Sequence, residues 1–499
     1  MPTDPTAPGL SSTAAQSDTF GETLLESLRQ TPWLLVSLGL HGLLLLLLAQ
    51  LDFGTRAVAA DTKIEANLVQ ETLEVLEPEI EPEIEPDTVE PEIVEPTLTD
   101  TEVEPDPAEV PTDDARSESD SDRNDTFDSN AILGLGPGGG GGSFNRGGFG
   151  DKPSTRPNLA IASALDWLAR HQDPAGSWDC DDFGAHCEDG PITRGPGHPS
   201  YDVGVTGLAL LAFLGIGETH RTDRHGGTVR RGLQWLLAAQ DPEGCIGPRD
   251  QENFTYGHAI ATLALVEAYG MTHDPKLLHK AQRAIDFVEA ARNPRSAWRY
   301  GVRSGENDIS VTGWMVMALK SARMAGLRVD QRALLDVRDY LDAMTDDYGR
   351  AGYNERGSYS VRPIGKTREF PADQTEALTA AAVLSRIFLG EDPATTPVIR
   401  QGVRLLADRL PRWDPPALDF YYWYYGTLAM HQAGGSDWER WNRAMQKTLL
   451  EHQVKKGCER GSFDPVGAWG EEGGRVYSTA LLTLCLEVSY RNPRVFGTR

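Results

Sequence analysis

From residue 158 onward, apolar positions recur at helical spacing in two alternating styles. One style is amphipathic: IASALDWLARHQ, TVRRGLQWLLAAQ, KLLHKAQRAIDFVEAA, QRALLDVRDYLDAM, PVIRQGVRLLADRL and WERWNRAMQKTLLEHQ place apolar residues at i, i+3, i+4 and i+7, with charges opposite. The other is small-residue and apolar all round, after a short polar or aromatic lead. It comprises YDVGVTGLALLAFL (201–214), TYGHAIATLALVEAY (255–269), DISVTGWMVMAL (308–319), DQTEALTAAAVL (373–384), YYWYYGTLAMHQ (421–432) and RVYSTALLTLCLEV (475–488). The spacing predicts six helix pairs, each with one half-exposed and one buried member, so the expected class is all-α. Aligning the buried segments places Thr206, Ala259, Thr312, Thr375, Thr427 and Thr479 in register.

The N-terminal third has a different pattern. Trp33–Leu51 is an apolar run in which His41 is the only ionisable side chain. At 1.5 Å per residue it reaches roughly 28 Å, close to a bilayer's hydrocarbon thickness. We therefore expect a single transmembrane helix over residues 33–53, after an N-terminal cytoplasmic tail of residues 1–32. A cleaved signal peptide is the rival reading, since Ala57-Val58-Ala59 has the spacing of a cleavage site. The run is longer than a usual signal core, and only Arg29 precedes it as a cation. Residues 54–150 read as a linker. EPEIEPEIEPDTVEPEIVEP favours extended, self-repelling polyproline II, and its Pro-rich part could reach roughly 110 Å. GLGPGGGGGSFNRGGFG (134–150) adds a flexible joint before a folded domain at 151–499.

Charge changes this picture only by its location. The formal net charge is −27, but 25 acidic residues fall between Asp61 and Asn130, against Lys63, Arg116 and Arg123. The segment after Asn130 is close to neutral, so nothing points to nucleic acid. With this layout the expected placement is a bacterial inner membrane, single-pass, with the C-terminal domain exported to the periplasm.

The loops carry a family resemblance. ALDWLARHQDPAGSW ends a helix and continues through Gln172, Gly176 and Trp178; GLQWLLAAQDPEGCIG repeats this with Gln240 and Gly244 but has Ile246 for Trp; HQVKKGCERGSF has Gln453 and Gly457 and then diverges. The pattern resembles the QW motif of squalene cyclases, in which Gln meets free helix-end carbonyls, Gly permits a left-handed exit and Trp packs on the next pair. Over roughly residues 155–490 the chain resembles the terpenoid-cyclase and protein-prenyltransferase superfamily. More closely, it resembles a membrane-anchored bacterial group of such proteins, with YYWYYGT, WERWN and GGRVYSTALLTL in the last two repeats. The resemblance implies a closed α/α toroid of six helix pairs, with six inner helices around a central cavity.

The family's chemistry is incompletely kept. Squalene-type cyclases protonate a double bond with DxDD; the matching stretch DVGVT retains Asp202 but has Gly204 and Val205 where further acids are required. A literal DxDD lies at Asp179-Cys180-Asp181-Asp182, directly after the QW Trp. Asp202, Asp181 and Asp182 are candidates for an acid, since clustered carboxylates raise one another's pKa, and Asp373 and Glu376 join them if their loop reaches the same cavity. The family's zinc His is missing from Phe420–Tyr425, and Cys180, His186 and Cys187 lack a recognisable fourth ligand, so no metal or cofactor is expected. In an oxidising compartment a local Cys180–Cys187 disulfide is expected. In a ring, loop one also adjoins loops two and six, which makes Cys245 and Cys458 rival partners.

The expected cavity mouth carries Tyr201, Tyr256, His258, Asp308, Trp314, Asp419, Tyr421, Tyr422, Trp423 and Tyr425. This suits an isoprenoid, another lipid or an extended peptide. Three functions remain open on these residues: a non-catalytic binding module, a cyclase or lyase with an altered acid, and an envelope scaffold.

Overall fold

The computed structural model describes residues 41, 155–187, 194–251, 253–491 and 494–496. Of the apolar run only His41 is among them, so the expected membrane helix, like the acidic linker, lies outside the described residues. Among the described residues no helix is long and apolar enough to cross a membrane.

The six amphipathic segments form α1 (Arg156–Arg170), α3 (Gly226–Ala238), α5 (Pro275–Ala291), α7 (Gln331–Met344), α9 (Pro397–Ala407) and α11 (Gly435–His452). Local chemistry starts several of them. Thr155 accepts from Asn158 N (3.3 Å), Asp274 from Lys276 N (3.0 Å) and Asp330 from Arg332 N (2.9 Å), and proline opens α1, α5 and α9. Each buries one stripe only. In α9 this is Ile399, Gly402, Leu406 and Ala407.

The other six segments form α2 (Asp202–Gly215), α4 (Phe254–Thr272), α6 (Ile309–Met324), α8 (Ala377–Phe388), α10 (Phe420–Ala433) and α12 (Gly470–Leu486). A short α13 (Val488–Arg491) follows. A helix that is apolar all round must be covered all round, and every residue of α2 from Val203 to Gly215 is buried. These six pack in sequence, α2 on α4 on α6 on α8 on α10 on α12, and α12 returns to α2. The outer layer closes likewise, α11 against α1. This is a two-layer α/α ring. Small residues set the closest approach: a Cβ on Gly207 of α2 would sit 2.9 Å from Ala261 N of α4. Among the described residues the only β pairing is two isolated bridges, Gln240–Ile246 and Thr345–Ala351.

The register differs from the expected one in two repeats. In three repeats the aligned threonine hydroxyl holds a loop N–H: Thr206 takes Trp178 N (2.9 Å), Thr312 takes Trp298 N (3.4 Å) and Thr479 takes Phe463 N (3.1 Å), while Thr427 of repeat five accepts instead from Trp441 Nε1 (2.9 Å). In repeat four that role belongs to Thr379, which takes Ala351 N, and not to Thr375. In repeat two it belongs to His258 Nδ1, which takes Ile246 N (3.0 Å), and not to Ala259.

Candidate functional site

All six inner helices begin at the same face, because each follows its outer partner through a loop there. Those loops (171–201, 239–253, 292–308, 345–376, 408–419 and 453–469) are longer than the turns at the opposite face, such as 273–274 and 434. Loops positioned by a rigid scaffold are where binding residues concentrate, and the expected site residues map to this face.

The QW loops brace it. Gln172 Nε2 donates to Gly176 O (2.9 Å) and across to Thr228 O (3.0 Å), while buried Trp178 donates from Nε1 to Leu168 O (2.8 Å). Gly176 has φ +108°, and a Cβ there would lie 2.3 Å from Arg231 O. Gln240 repeats both contacts, to Gly244 O (3.1 Å) and Lys280 O (2.9 Å). In repeat six the expected glycine is corrected: Gln453 donates to Gly461 O (2.9 Å) and to Ala160 O (2.8 Å), not to Gly457. The Gln–Gly spacing of four becomes eight through an insertion that carries Cys458, and Phe463 fills the Trp position. Repeat three holds a degenerate copy without the Gln, in which Trp298 Nε1 donates to Val288 O (2.7 Å).

Two of the three acid candidates in repeat one, Asp202 and Asp181, meet. Asp202 and the Asp179 and Asp181 carboxylates approach within 4.8 Å of one another. Asp202 Oδ1 accepts from Cys180 N (2.8 Å), and Asp179 Oδ1 from the backbones of Asp181 and Asp182. Partial burial pushes Asp202 up to about 6, opposed by the Cys180 N–H and reinforced by the charges of Asp179 and Asp181. Asp182 is exposed and lies outside the cluster.

The acids of repeats four and five are engaged elsewhere. Glu376 is buried against Arg350 (2.9 Å) and Arg409 (3.5 Å). Asp419 caps Tyr422 N (3.0 Å) and pairs with buried Arg362 (3.0 Å). Thr375 is drawn into the same network, accepting from Arg362 and donating to Asp419. Asp373 is exposed on a short 3-10 turn. Asp308 differs again. It caps Val311 N (2.8 Å), but its Oδ2 lacks a hydrogen bond and Arg299 Nε stays 3.9 Å away. Burial carries it up to about 6.

The aromatic residues divide. Trp314 stacks on Tyr424 (5.3 Å between centroids) and meets Tyr425 edge-on (5.5 Å), while Tyr425 lies against Gly313 of α6. α6 and α10 are not neighbours in the ring, so these side chains span and fill its centre. Above them, Tyr256, Tyr421 and Tyr477 are half-buried at the mouth. Tyr421 Oη lies 2.7 Å from Ser310 Oγ. Tyr201 is half-buried at the α2 start, 5.5 Å from His198. Tyr422 and Trp423 turn away from the mouth, toward Trp441 and toward Trp413 respectively. His258 is buried in the first turns of α4, where burial lowers it to about 3. The cavity beside Glu376, Arg350 and Tyr359 holds about 10 Å³, room for roughly one water.

Sequence reasoning missed Arg362, Arg350 and Tyr477. An arginine in a loop gives no signal of a carboxylate partner tens of residues away. Tyr477 lies within RVYSTALLTL, a segment whose helical period and family resemblance do not set the tyrosine apart. The expected Cys180–Cys187 bond is also corrected. Cys187 pairs with Cys458, a rival partner across the ring's seam, and Cys180 is a buried thiol beside Gly473 O.

Helix order and packing together define the class: a closed α/α toroid of six helix pairs, with Trp314, Tyr424 and Tyr425 packed across it. Similar solved structures include a variant of type II terpene cyclase MstE from Scytonema in complex with geranylgeranyl dihydroxybenzoate (15% identity, 67% of this chain and 97% of that chain, TM-score 0.42). They also include an alpha-amylase from Clostridium perfringens (12%, 67% and 98%, TM-score 0.44) and an alpha-1,6-mannanase of Salegentibacter with alpha-1,6-mannotriose (8%, 67% and 99%, TM-score 0.45). No protein-family model and no curated protein matches the chain. At these TM-scores the likenesses are too remote to argue from, and the ring stands on its own helix order and packing.

Proposed function

We propose that the ring is a non-catalytic binding module, held outside a bacterial inner membrane by residues 33–53 and the acidic linker, and that its long-loop face takes an extended peptide. The observation that carries this reading is the filled centre. With Trp314, Tyr424 and Tyr425 packed across the ring, an isoprenoid chain has no interior volume to enter, whereas half-buried tyrosines at the mouth offer apolar area with a polar tip. Glu376 and Asp419, already neutralised by arginines, are poor proton donors for a carbon–carbon double bond.

The test uses the full chain in detergent, titrated with unstructured peptides and, separately, with squalene and geranylgeranyl diphosphate. Saturable peptide binding, weakened by Tyr421→Ala and Tyr256→Ala, supports the module. A second reading rests on Asp202, which sits near 6 beside two carboxylates, the arrangement an altered cyclase acid requires. Turnover of either isoprenoid, abolished by Asp202→Asn, would replace the first reading with the second. If nothing binds at the face, the scaffold reading takes first place.

A further inference from the structure

The seam between the first and last repeats holds more than a disulfide. His171 is the C-cap of α1, fully buried, and stacks on Trp167 at 4.3 Å. Its Nδ1 lies 2.8 Å from Trp167 O and therefore donates to it. That fixes the tautomer and leaves Nε2 with a lone pair, aimed at Cys458 Sγ 3.4 Å away. A ring nitrogen held by a backbone carbonyl while the other faces sulfur is how proteins orient a metal-binding histidine. The ligand atoms of His171, Cys187 and Cys458 all lie within 4.8 Å of one another. Cys458 reaches this point only through the four-residue insertion between Gln453 and Gly461, which neither other Gln-bearing loop has.

We propose that His171, Cys187 and Cys458 form a redox-gated site for a thiophilic divalent cation such as Zn2+, closing the ring by a disulfide when oxidised and by a metal when reduced. A dithiol reductant delivers two electrons and two protons to the Cys187–Cys458 bond and becomes a disulfide itself. Metal binding then releases the two thiol protons to solvent, leaving two thiolates, the neutral His171 Nε2 and a water in the fourth position. In either state the insertion of repeat six stays tied to the loop of repeat one. The inference does not depend on what the long-loop face binds.

Co2+ is the probe. Full-length chain in detergent, reduced with a dithiol and freed of it without oxygen, should take up one Co2+ per chain and show the intense near-ultraviolet band of thiolate-to-cobalt charge transfer. The oxidised chain should show none. Cys187→Ser and Cys458→Ser should abolish the band, His171→Ala should weaken binding by at least about tenfold, and Cys245→Ser with Cys485→Ser should leave it unchanged. A reduced chain without the band, or a band that survives in Cys187→Ser, overturns the site. So does a band that arises only after the far-ultraviolet helical signal is lost.

Discussion

The two halves of the long-loop face treat the same kind of residue in opposite ways. In repeats one and three an aspartate opens the inner helix without a close cation: Asp202 faces two other carboxylates, and Asp308 is buried with Arg299 at 3.9 Å. In repeats four and five Glu376 and Asp419 hold the equivalent ends but are clamped by Arg350, Arg409 and Arg362. Burial alone therefore does not make an acid. One half stores carboxylates that titrate near neutrality, and the other spends its carboxylates on fixing the loops of the mouth.

The largest test of this contrast is Arg362→Met, which strands a buried Asp419. We expect a loss of about 3–5 kcal/mol in urea unfolding, and the double variant Arg362→Met/Asp419→Asn should recover part of it. A loss under about 1 kcal/mol would mean the clamp is ornamental.

Asp308→Asn should do the reverse. Its folded pKa lies above the ordinary carboxylate value, so the folded state holds the proton more tightly than the unfolded one. The favourable contribution is present at low pH and is lost as pH rises through about 6. The asparagine still caps Val311. We expect it to stabilise the chain by about 1–3 kcal/mol at pH 8 and by nothing at pH 4. A pH-independent effect would break the comparison.

Asp202→Asn should give the same sign over the same pH range but a smaller gain in thermal melts, since Asp202 is only part-buried. The smallest effect belongs to Asp373→Ala. Its side chain is exposed and outside both networks, and its carbonyl, which accepts from Arg409, survives the substitution, so the variant should stay within about 0.5 kcal/mol of the parent.

Much of the ring was legible because its two layers have different periodicities. A stripe such as Ile399–Gly402–Leu406 can only face one neighbour, and an all-apolar helix such as α2 can only be enclosed. What failed was detail set by tertiary contact. Gly457 looked like the motif glycine because sequence cannot show that the loop bulges by four residues before Gly461 turns. Thr375 seemed in register because the Arg362–Asp419 pair that claims it is invisible in sequence. Aromatic residues at helix starts stand out in the sequence, but Tyr422 and Trp423 differ from Tyr421 and Tyr425 only by rotation around α10. A helix this apolar carries no polar stripe to reveal that rotation.

Closure of the ring also has a consequence in time. An open solenoid can add each repeat to a finished surface, with capping repeats to cover its ends. Here one side of α2 is covered by α12, which begins roughly 270 residues later, and Ala160 receives its bond from Gln453. At about 5–20 residues per second, that apolar flank waits roughly 15–50 s for its partner to be synthesised. During this interval the first repeat is a sticky, half-covered object. If the chain crosses a membrane as proposed, it must be kept from its neighbours until the last repeat arrives.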